Sequence, residues 1–225
     1  MPVIGTQQSP IQIIHDETIV AKVDPITYSY AGKLPGKLKD ENYVFDIAHA
    51  NGQEITTGKT LTVGNVTWVI RKIHIHSPAE HLLDENPADD FECHLVHSKV
   101  GDVKARGPKL VVGVMFKVAA KASKKTSQRP TMFSWNAALC NSGTNPPIAH
   151  DIDVNDFLPD KDKDKFYRYE GSLTSDPYSE DVSWYVLKHH SEVLPTNVDQ
   201  ILKFADQHTR PVHATDRRFI LRNFP

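Results

Sequence analysis

The segment most informative about the fold is Val66-Thr67-Trp68-Val69-Ile70-Arg71-Lys72-Ile73-His74-Ile75-His76. β-Branched and aromatic residues suit a pleated, half-buried surface, so this stretch predicts one long β-strand. The strand should end at Ser77-Pro78, because proline cannot donate a hydrogen bond to a sheet ladder. Side chains on a strand alternate between two faces, and His74 and His76 therefore project from the same face.

Other segments around this stretch also predict secondary structure. Strands are predicted at Tyr43–Ile47, Thr60–Val63, Phe91–Ser98 and Leu110–Val118, the last almost wholly apolar and therefore central. Helices are predicted at Asn197–Gln207, with Thr196 as N-cap, and at Met132–Leu139. The stretch up to Asp40 is turn-rich, and residues 119–129 and 141–147 are expected to form loops. The pattern indicates a predominantly β, mixed α+β chain that forms one domain over residues 1–225.

Composition narrows the class of protein. The chain has 225 residues, a net charge of −2, 39% hydrophobic and 24% charged residues, which is ordinary for a globular domain. The near-neutral charge gives no reason to expect a nucleic-acid partner, and no apolar run is long enough for a membrane span. Cys93 and Cys140 are too few for a disulfide framework and are expected to be reduced. Met1–Pro10 shows no secretory leader, which favours a cytoplasmic location, or a periplasmic or secreted one if a leader was removed.

A third histidine has the right phase to join the first two. On the predicted strand at Phe91–Ser98, Glu92 and His94 share a face. If the two strands pair antiparallel, His76 can lie opposite Glu92 and His74 opposite His94. Three imidazoles would then converge and leave one tetrahedral position open, which is typical of catalytic zinc. The alternative is that these are ordinary core or surface histidines, and that Glu92 is an exposed strand carboxylate rather than a hydrogen-bond acceptor for a ligand's free N–H.

The chain also carries a set of motifs in a fixed order, which together resemble those of the α-carbonic anhydrase family, closest to its bacterial form. They are Gln8-Ser9-Pro10-Ile11-Gln12-Ile13, Ile73-His74-Ile75-His76 with Glu80-His81, Glu92-Cys93-His94-Leu95-Val96-His97, Tyr169-Glu170-Gly171-Ser172-Leu173-Thr174-Ser175, Val182-Ser183-Trp184 and Arg210-Pro211-Val212. Each motif alone is weak, but the set is specific. The resemblance implies a large, mostly antiparallel twisted β-sheet with a few short peripheral helices.

The resemblance implies an enzyme, a carbonic anhydrase that uses Zn²⁺ held by His74, His76 and His94. Zinc-bound hydroxide would attack carbon dioxide and give bicarbonate and a proton, with a side esterase activity from the same nucleophile. Thr174 would accept a hydrogen bond from the hydroxide and donate its own proton to Glu80. Thr174 must be the donor in the hydrogen bond to Glu80, because an ionised carboxylate can only accept a hydrogen bond.

The family resemblance also assigns a substrate pocket and raises the question of a proton carrier. Carbon dioxide is small and apolar, so an apolar wall suits it, with the hydroxyl of Ser175 nearby. The wall positions are Val96, Val111, Leu173, Val182 and Trp184. The shuttle position carries Gln53, which cannot carry a proton, and His49 is the candidate substitute. Plain core packing and an exposed surface histidine are the competing interpretations for the wall and for His49.

Two other functions fit part of the sequence. His74-x-His76 with Glu80 resembles the first motif of cupins, but Trp68 stands where that motif has glycine, and a second cupin motif is missing. A carbonic-anhydrase fold without catalysis, acting as a binding module, is the other alternative. Lys72 and Asp176 depart from the family pattern and favour this alternative slightly. A small-molecule substrate is the expected partner, and a homodimer is left open.

Overall fold

A computed structural model describes residues 5–39, 44–47, 56–84, 89–120, 129–141, 149–205 and 209–225. The strands in chain order are β1 (Gln12–Ile13), β2 (Ile19–Val20), β3 (Ile26–Tyr30), β4 (Leu34–Lys39), β5 (Val44–Ile47), β6 (Lys59–Val63), β7 (Val66–His76), β8 (Leu82–Leu83), β9 (Phe91–Lys99), β10 (Lys109–Val118), β11 (Ala149–Ile152), β12 (Phe166–Gly171), β13 (Val182–Leu187), β14 (Ser191–Val193) and β15 (Leu221–Arg222). The helices are α1 (Pro130–Asn141) and α2 (Asp199–Ala205).

Thirteen of these strands form one sheet, and β1 and β8 form a separate parallel pair. The main path of the sheet runs β11-β4-β5-β7-β9-β10-β13-β12-β15-β2, with β14 on β10 and with β6 joining β3 to β7. Within this sheet, parallel pairing occurs where β10 meets β13 and β14 and where β15 meets β2, and the other described pairs of the sheet are antiparallel. The predicted fold class, a predominantly β chain built on a mostly antiparallel sheet with a few short helices, is confirmed.

The central strands are buried on both faces and separate two apolar clusters. On β9, Cys93 and Leu95 pack into the larger cluster, which also contains residues of α1 and α2. Val96 points to the opposite face and belongs to a smaller cluster with Val111 and Trp184. The same alternation sends His94 away from the larger cluster, because side chains on a strand alternate with period two. The candidate site therefore lies on the face of the smaller cluster.

The predicted strands at Thr60–Val63, Phe91–Ser98 and Leu110–Val118 are confirmed, and Val66 begins a strand that ends at His76, before Ser77-Pro78. The strand predicted at Tyr43–Ile47 is observed from Val44, and Tyr43 lies outside the described residues. The helix predicted at Met132–Leu139 is present and is longer at both ends. Of the two predicted loops, residues 121–128 and 142–147 lie outside the described part of the chain. Asn141, expected to begin the second loop, is instead the last residue of α1.

Two predictions of local structure were wrong. The segment before Asp40 was expected to contain mainly turns, yet it contributes β1 to β4. Thr196 was expected to cap a helix starting at Asn197, but Pro195–Asn197 is a 3-10 turn and α2 begins at Asp199. The side chain of Asn136, on α1, supplies the cap, because its Oδ1 accepts hydrogen bonds from the amides of Gln200 (2.8 Å) and Ile201 (3.1 Å).

Cys93 is a buried free thiol, as predicted, whereas the side chain of Cys140 lies outside the described part. Burial raises the pKa of the Cys93 thiol well above its ordinary value. Among the described helices none combines the length and the apolar character needed to cross a bilayer.

Candidate metal centre

Strands β7 and β9 bring the three predicted histidines together. The strands pair antiparallel, with His74 opposite His94 and His76 opposite Glu92, so the predicted register is confirmed. Arg71 forms a bulge between Ile70 and Lys72, upstream of both histidines, and regular pairing resumes from Lys72 onward. The alternation from Lys72 onward therefore keeps His74 and His76 on one face.

The three imidazoles form a compact, buried trio. Their ring centroids lie 4.7–5.0 Å apart, and one nitrogen from each ring can be chosen so that all three lie within 4.8 Å of one another. Nε2 of His74 is 3.2 Å from Nδ1 of His94. Two nitrogens bound to one zinc ion at 2.0–2.1 Å and at the tetrahedral angle would be about 3.3 Å apart. The observed separation of these two nitrogens therefore fits one edge of a zinc tetrahedron.

Burial keeps two of these imidazoles, those of His74 and His94, neutral. It lowers the pKa of His74 well below the ordinary value, and the neighbouring His76 and His94 lower it further. Burial also lowers the pKa of His94. A neutral imidazole has one nitrogen lone pair for a metal ion, whereas an imidazolium has none. The donor set therefore suits a zinc ion.

Glu92 lies behind His94 and accepts hydrogen bonds on both of its oxygens. Oε2 accepts the backbone amides of Glu80 (3.0 Å) and His81 (2.9 Å). Oε1 lies 2.8 Å from Nδ1 of His81 and 3.0 Å from Nε2 of His94. Burial opposes ionisation of Glu92, but His81 and His94 outweigh burial and hold the pKa of this carboxyl well below its usual range. An ionised Glu92 favours the tautomer of His94 that carries its proton on Nε2 and leaves Nδ1 free.

Glu80 lies on the other side of the trio and is also fully buried. Its Oε1 is 3.5 Å from Nδ1 of His76, and its Oε2 is 3.9 Å from Nδ1 of His94. The carboxyl is hydrogen-bonded to Thr174, and Oε1 accepts the backbone amide of Arg210 at 2.8 Å. Burial raises the pKa of Glu80 to about 8 despite these two hydrogen bonds. A cation on the three imidazoles would lower this pKa again, because an opposite charge favours the carboxylate.

The predicted wall residues gather beside the trio. Val96, Val111, Val182 and Trp184 are buried in the smaller apolar cluster, and Leu173 packs against it. Val111 on β10 pairs with Val96 on one side and with Trp184 on the other. The ring of Trp184 lies 4.8 Å from the ring of His94. Ser175 is exposed, directly after Thr174.

The remaining predictions for this region have mixed outcomes. His49 and Gln53 lie outside the described residues, so the identity of the proton carrier stays a prediction. His81 and His97, which belong to the motifs around the site, both form hydrogen bonds within the core. His81 contacts Glu92 and Tyr169, and His97 lies 2.5 Å from the hydroxyl of Tyr30.

Sequence reasoning missed two residues that shape the site. Gly113 lies opposite His94, and a Cβ at this position would lie 2.7 Å from Oε1 of Glu92, so only glycine admits that carboxylate. Arg210 holds Glu80 through its backbone amide. No pattern in the sequence pointed to Gly113. For Arg210 the motif Arg210-Pro211-Val212 was a signal, but a contact made by a backbone amide cannot be inferred from the type of residue that makes it.

Comparison with known proteins agrees with this geometry. The family model described as eukaryotic-type carbonic anhydrase matches residues 3–223. A carbonic anhydrase of Neisseria gonorrhoeae is 26% identical over 218 residues, which are 96% of this chain and 77% of that protein. A carbonic anhydrase of Nostoc sp. is 31% identical over 167 residues, which are 73% of this chain and 57% of that protein.

Among solved structures, an α-carbonic anhydrase of Photobacterium profundum has a TM-score of 0.75 at 24% identity, covering 97% of this chain and 90% of its own. The likeness confirms the predicted fold. The family match excludes the cupin alternative and confirms the predicted class of enzyme, a carbonic anhydrase. From its match over residues 3–223, the chain belongs to the eukaryotic-type, or α, carbonic anhydrase family.

Proposed function

We propose that this protein catalyses the reversible hydration of carbon dioxide to bicarbonate and a proton, with a zinc ion held by His74, His76 and His94. The observation that carries the proposal is the trio of buried imidazoles beside the hydrogen-bonded pair Thr174–Glu80. A zinc ion bound there supplies Lewis acidity that brings the pKa of a water molecule from 15.7 to about 7, a value known from carbonic anhydrases themselves.

The histidines and Glu92 prepare the site for the metal. Burial keeps His74 and His94 unprotonated, so their lone pairs are available near neutral pH. Glu92 accepts a hydrogen bond from the N–H at Nε2 of His94, which leaves the lone pair of Nδ1 directed toward the other two imidazoles. A rigid ligand set raises metal affinity, because less conformational freedom is lost when the ion binds.

Thr174 and Glu80 orient the attacking oxygen. The threonine hydroxyl donates its single proton to the Glu80 carboxylate, so its oxygen can only accept a hydrogen bond from the attacking group. The attacking oxygen therefore directs its proton toward Thr174 and its lone pair toward the substrate. The same requirement disfavours, at this place, a ligand atom that has no proton to donate.

The apolar wall receives the substrate. Carbon dioxide carries no charge, and burial of Val96, Val111, Val182 and Trp184 provides an uncharged surface against the His94 side of the site. Leu173 adds an apolar side chain next to Thr174. Ser175 is proposed to hydrogen-bond bicarbonate, and His49 to carry the proton away; both roles, a slower ester hydrolysis by the same site, a homodimer and the location in the cell stay predictions.

A stopped-flow assay of carbon dioxide hydration tests the proposal. We expect zinc-dependent hydration that is lost when a chelator removes the metal and recovers when zinc returns, and that a primary sulfonamide inhibits. His94→Ala should lose both zinc and activity, whereas His190→Ala, at an exposed histidine far along the chain, should keep both. Stoichiometric zinc with no hydration above the uncatalysed rate would refute the catalytic proposal and leave the binding-module alternative.

A further inference from the structure

Thr174 lies in a tight loop whose shape is fixed by hydrogen bonds within its own backbone. The amide of Leu173 donates to the carbonyl of Ser179 (3.0 Å), and the amide of Tyr178 donates to the carbonyl of Ser175 (2.9 Å). Residues 175–177, at the tip, are exposed. Both hydrogen bonds lie within the loop. They define its conformation but do not attach it to the rest of the molecule.

Tyr178 connects the loop to another segment. Its ring lies under the guanidinium of Arg210, with the guanidinium carbon 4.2 Å from the ring centroid. Tyr178 has a φ of +59°, a left-handed conformation that is unfavourable for a residue with a side chain. Such a conformation persists only where surrounding contacts hold it, and the stacked guanidinium is a contact of this kind.

Arg210 holds the other partner of Thr174. Its backbone amide donates to Oε1 of Glu80 at 2.8 Å, and its guanidinium also donates to the carbonyl of Ser9 at 2.6 Å. One residue therefore fixes Glu80 with its main chain and the Thr174 loop with its side chain. The hydrogen bond between Thr174 and Glu80 is thus supported from both ends by residues that contact each other.

We propose that the Tyr178–Arg210 stack is a positioning device that holds the Thr174 hydroxyl against Glu80. The inference rests on the proposed function for its effect on catalysis, although the device itself concerns only the protein's own contacts. Neither side chain takes part in the reaction. Loss of the stack should let the loop open more often and reduce the fraction of molecules in which Thr174 points correctly.

The first test is hydrogen exchange of the metal-free protein, which needs no activity. The amides of Leu173 and Tyr178 report opening of the loop. In Tyr178→Leu we expect their exchange to accelerate by about two- to thirty-fold, the range that corresponds to a cation–π contact between exposed and desolvated settings. Tyr178→Phe keeps the ring and should restore slow exchange of the Leu173 amide. Lys188→Met removes a matched stack outside the loop, in which the Lys188 ammonium nitrogen lies 4.3 Å from the ring centroid of Phe224, and should change the exchange of neither amide.

The second test is the hydration rate of the zinc-loaded variants. We expect kcat/KM to fall two- to thirty-fold in Tyr178→Leu, with zinc affinity unchanged, and to recover in Tyr178→Phe. Arg210→Met should also lower it, and the double variant with Tyr178→Leu should be no worse than the worse single variant, because the two side chains act through one contact. Additive losses would overturn the inference.

The two proposals fail in different ways. If the wild-type protein hydrates carbon dioxide but Tyr178→Leu exchanges and reacts at the wild-type rate, the stack is irrelevant and only this inference fails. An equal loss in Tyr178→Phe and Tyr178→Leu would also overturn it, since the ring would then not be the cause. If the wild-type protein has no hydration activity, the proposed function fails, and the exchange measurement alone decides whether the stack holds the loop.

Discussion

Replacing Glu92 by glutamine should weaken zinc binding through the tautomer of a single imidazole. The two oxygens of Glu92 face four N–H groups, two from the backbone and two from the rings of His81 and His94. Glutamine has one acceptor atom. If its oxygen keeps the backbone amides, its NH₂ group faces the rings and Nε2 of His94 must accept. The proton of His94 then sits on Nδ1, the atom that faces His74.

The expected effect follows from the cost of reversing that tautomer. In the variant, metal binding must restore the original tautomer of His94, and it does so without the hydrogen bond from Nε2 to the charged Glu92 that supports this tautomer in the wild type. A hydrogen bond to a charged group is worth roughly 1.5–3 kcal/mol. This corresponds to a loss of about ten- to hundred-fold in zinc affinity, the range known for such partners of metal ligands, carbonic anhydrases included. Competition with a chromophoric chelator measures the affinity directly, and near-ultraviolet circular dichroism verifies that the variant is folded.

Glu170→Gln is the matched control. Glu170 is a half-exposed carboxylate on β12 that bonds Arg168 and Ser183 and has no contact with the trio among the interactions of the described residues. Its replacement should leave zinc affinity within about two-fold, as expected for a surface position. A folded Glu92→Gln protein with wild-type affinity would refute the tautomer argument. So would an equal loss in Glu170→Gln.

Four further outcomes are expected. Gly113→Ala places a Cβ 2.7 Å from an oxygen of Glu92 that is held by hydrogen bonds, and should lower the urea-derived free energy of unfolding by about 1–3 kcal/mol as well as zinc affinity; wild-type values for both would show that the carboxylate can move aside. Thr174→Val keeps the shape but removes the hydroxyl, and kcat/KM for hydration should fall on the order of 10²-fold with zinc still bound; an unchanged kcat/KM would contradict the orienting role. Tyr30→Phe leaves the buried ring nitrogen of His97 without its partner and should cost about 1–3 kcal/mol in thermal or urea unfolding, with hydration unchanged. Burial lowers the pKa of His97 from 6.5 to about 3, so between these values the unfolded chain binds the proton more readily than the folded protein does. The contribution of His97 to the free energy of unfolding is therefore fully present above pH 6.5 and is lost as the pH falls toward 3. In the metal-free protein, His97→Asn should make the fall of stability over this range shallower, as urea unfolding at several pH values would show.

The part of the site on β7 and β9 was predictable because it depends on short-range rules. Alternation along a strand places His74 and His76 on one face, and the same rule selects Glu92 and His94 on the next strand. Only one antiparallel register brings these four residues together, and that register is observed. The apolar wall followed from the family resemblance, and its members do share one cluster.

Short strands near the N-terminus were not predictable from local sequence. β2 has two residues, Ile19 and Val20, and it is a strand because β15 lies beside it in parallel, about 200 positions further along the chain. A two-residue segment carries too little periodicity to distinguish a strand from a turn. The start of α2 was missed for a similar reason: its cap comes from Asn136 on another helix, and local capping rules consider only neighbours in sequence.

Local patterns along the chain were enough to predict its β class, the faces of its central strands and the three histidines that converge. These depend on residue type and on a two-residue period, which are local properties. Three contacts could be seen only in the folded protein: Gly113 makes room for Glu92, the Arg210 amide holds Glu80, and the Arg210 side chain stacks on Tyr178. Each of these contacts joins segments distant in the chain through a missing side chain, a backbone atom or a ring face, and their geometry exists only after the sheet has formed.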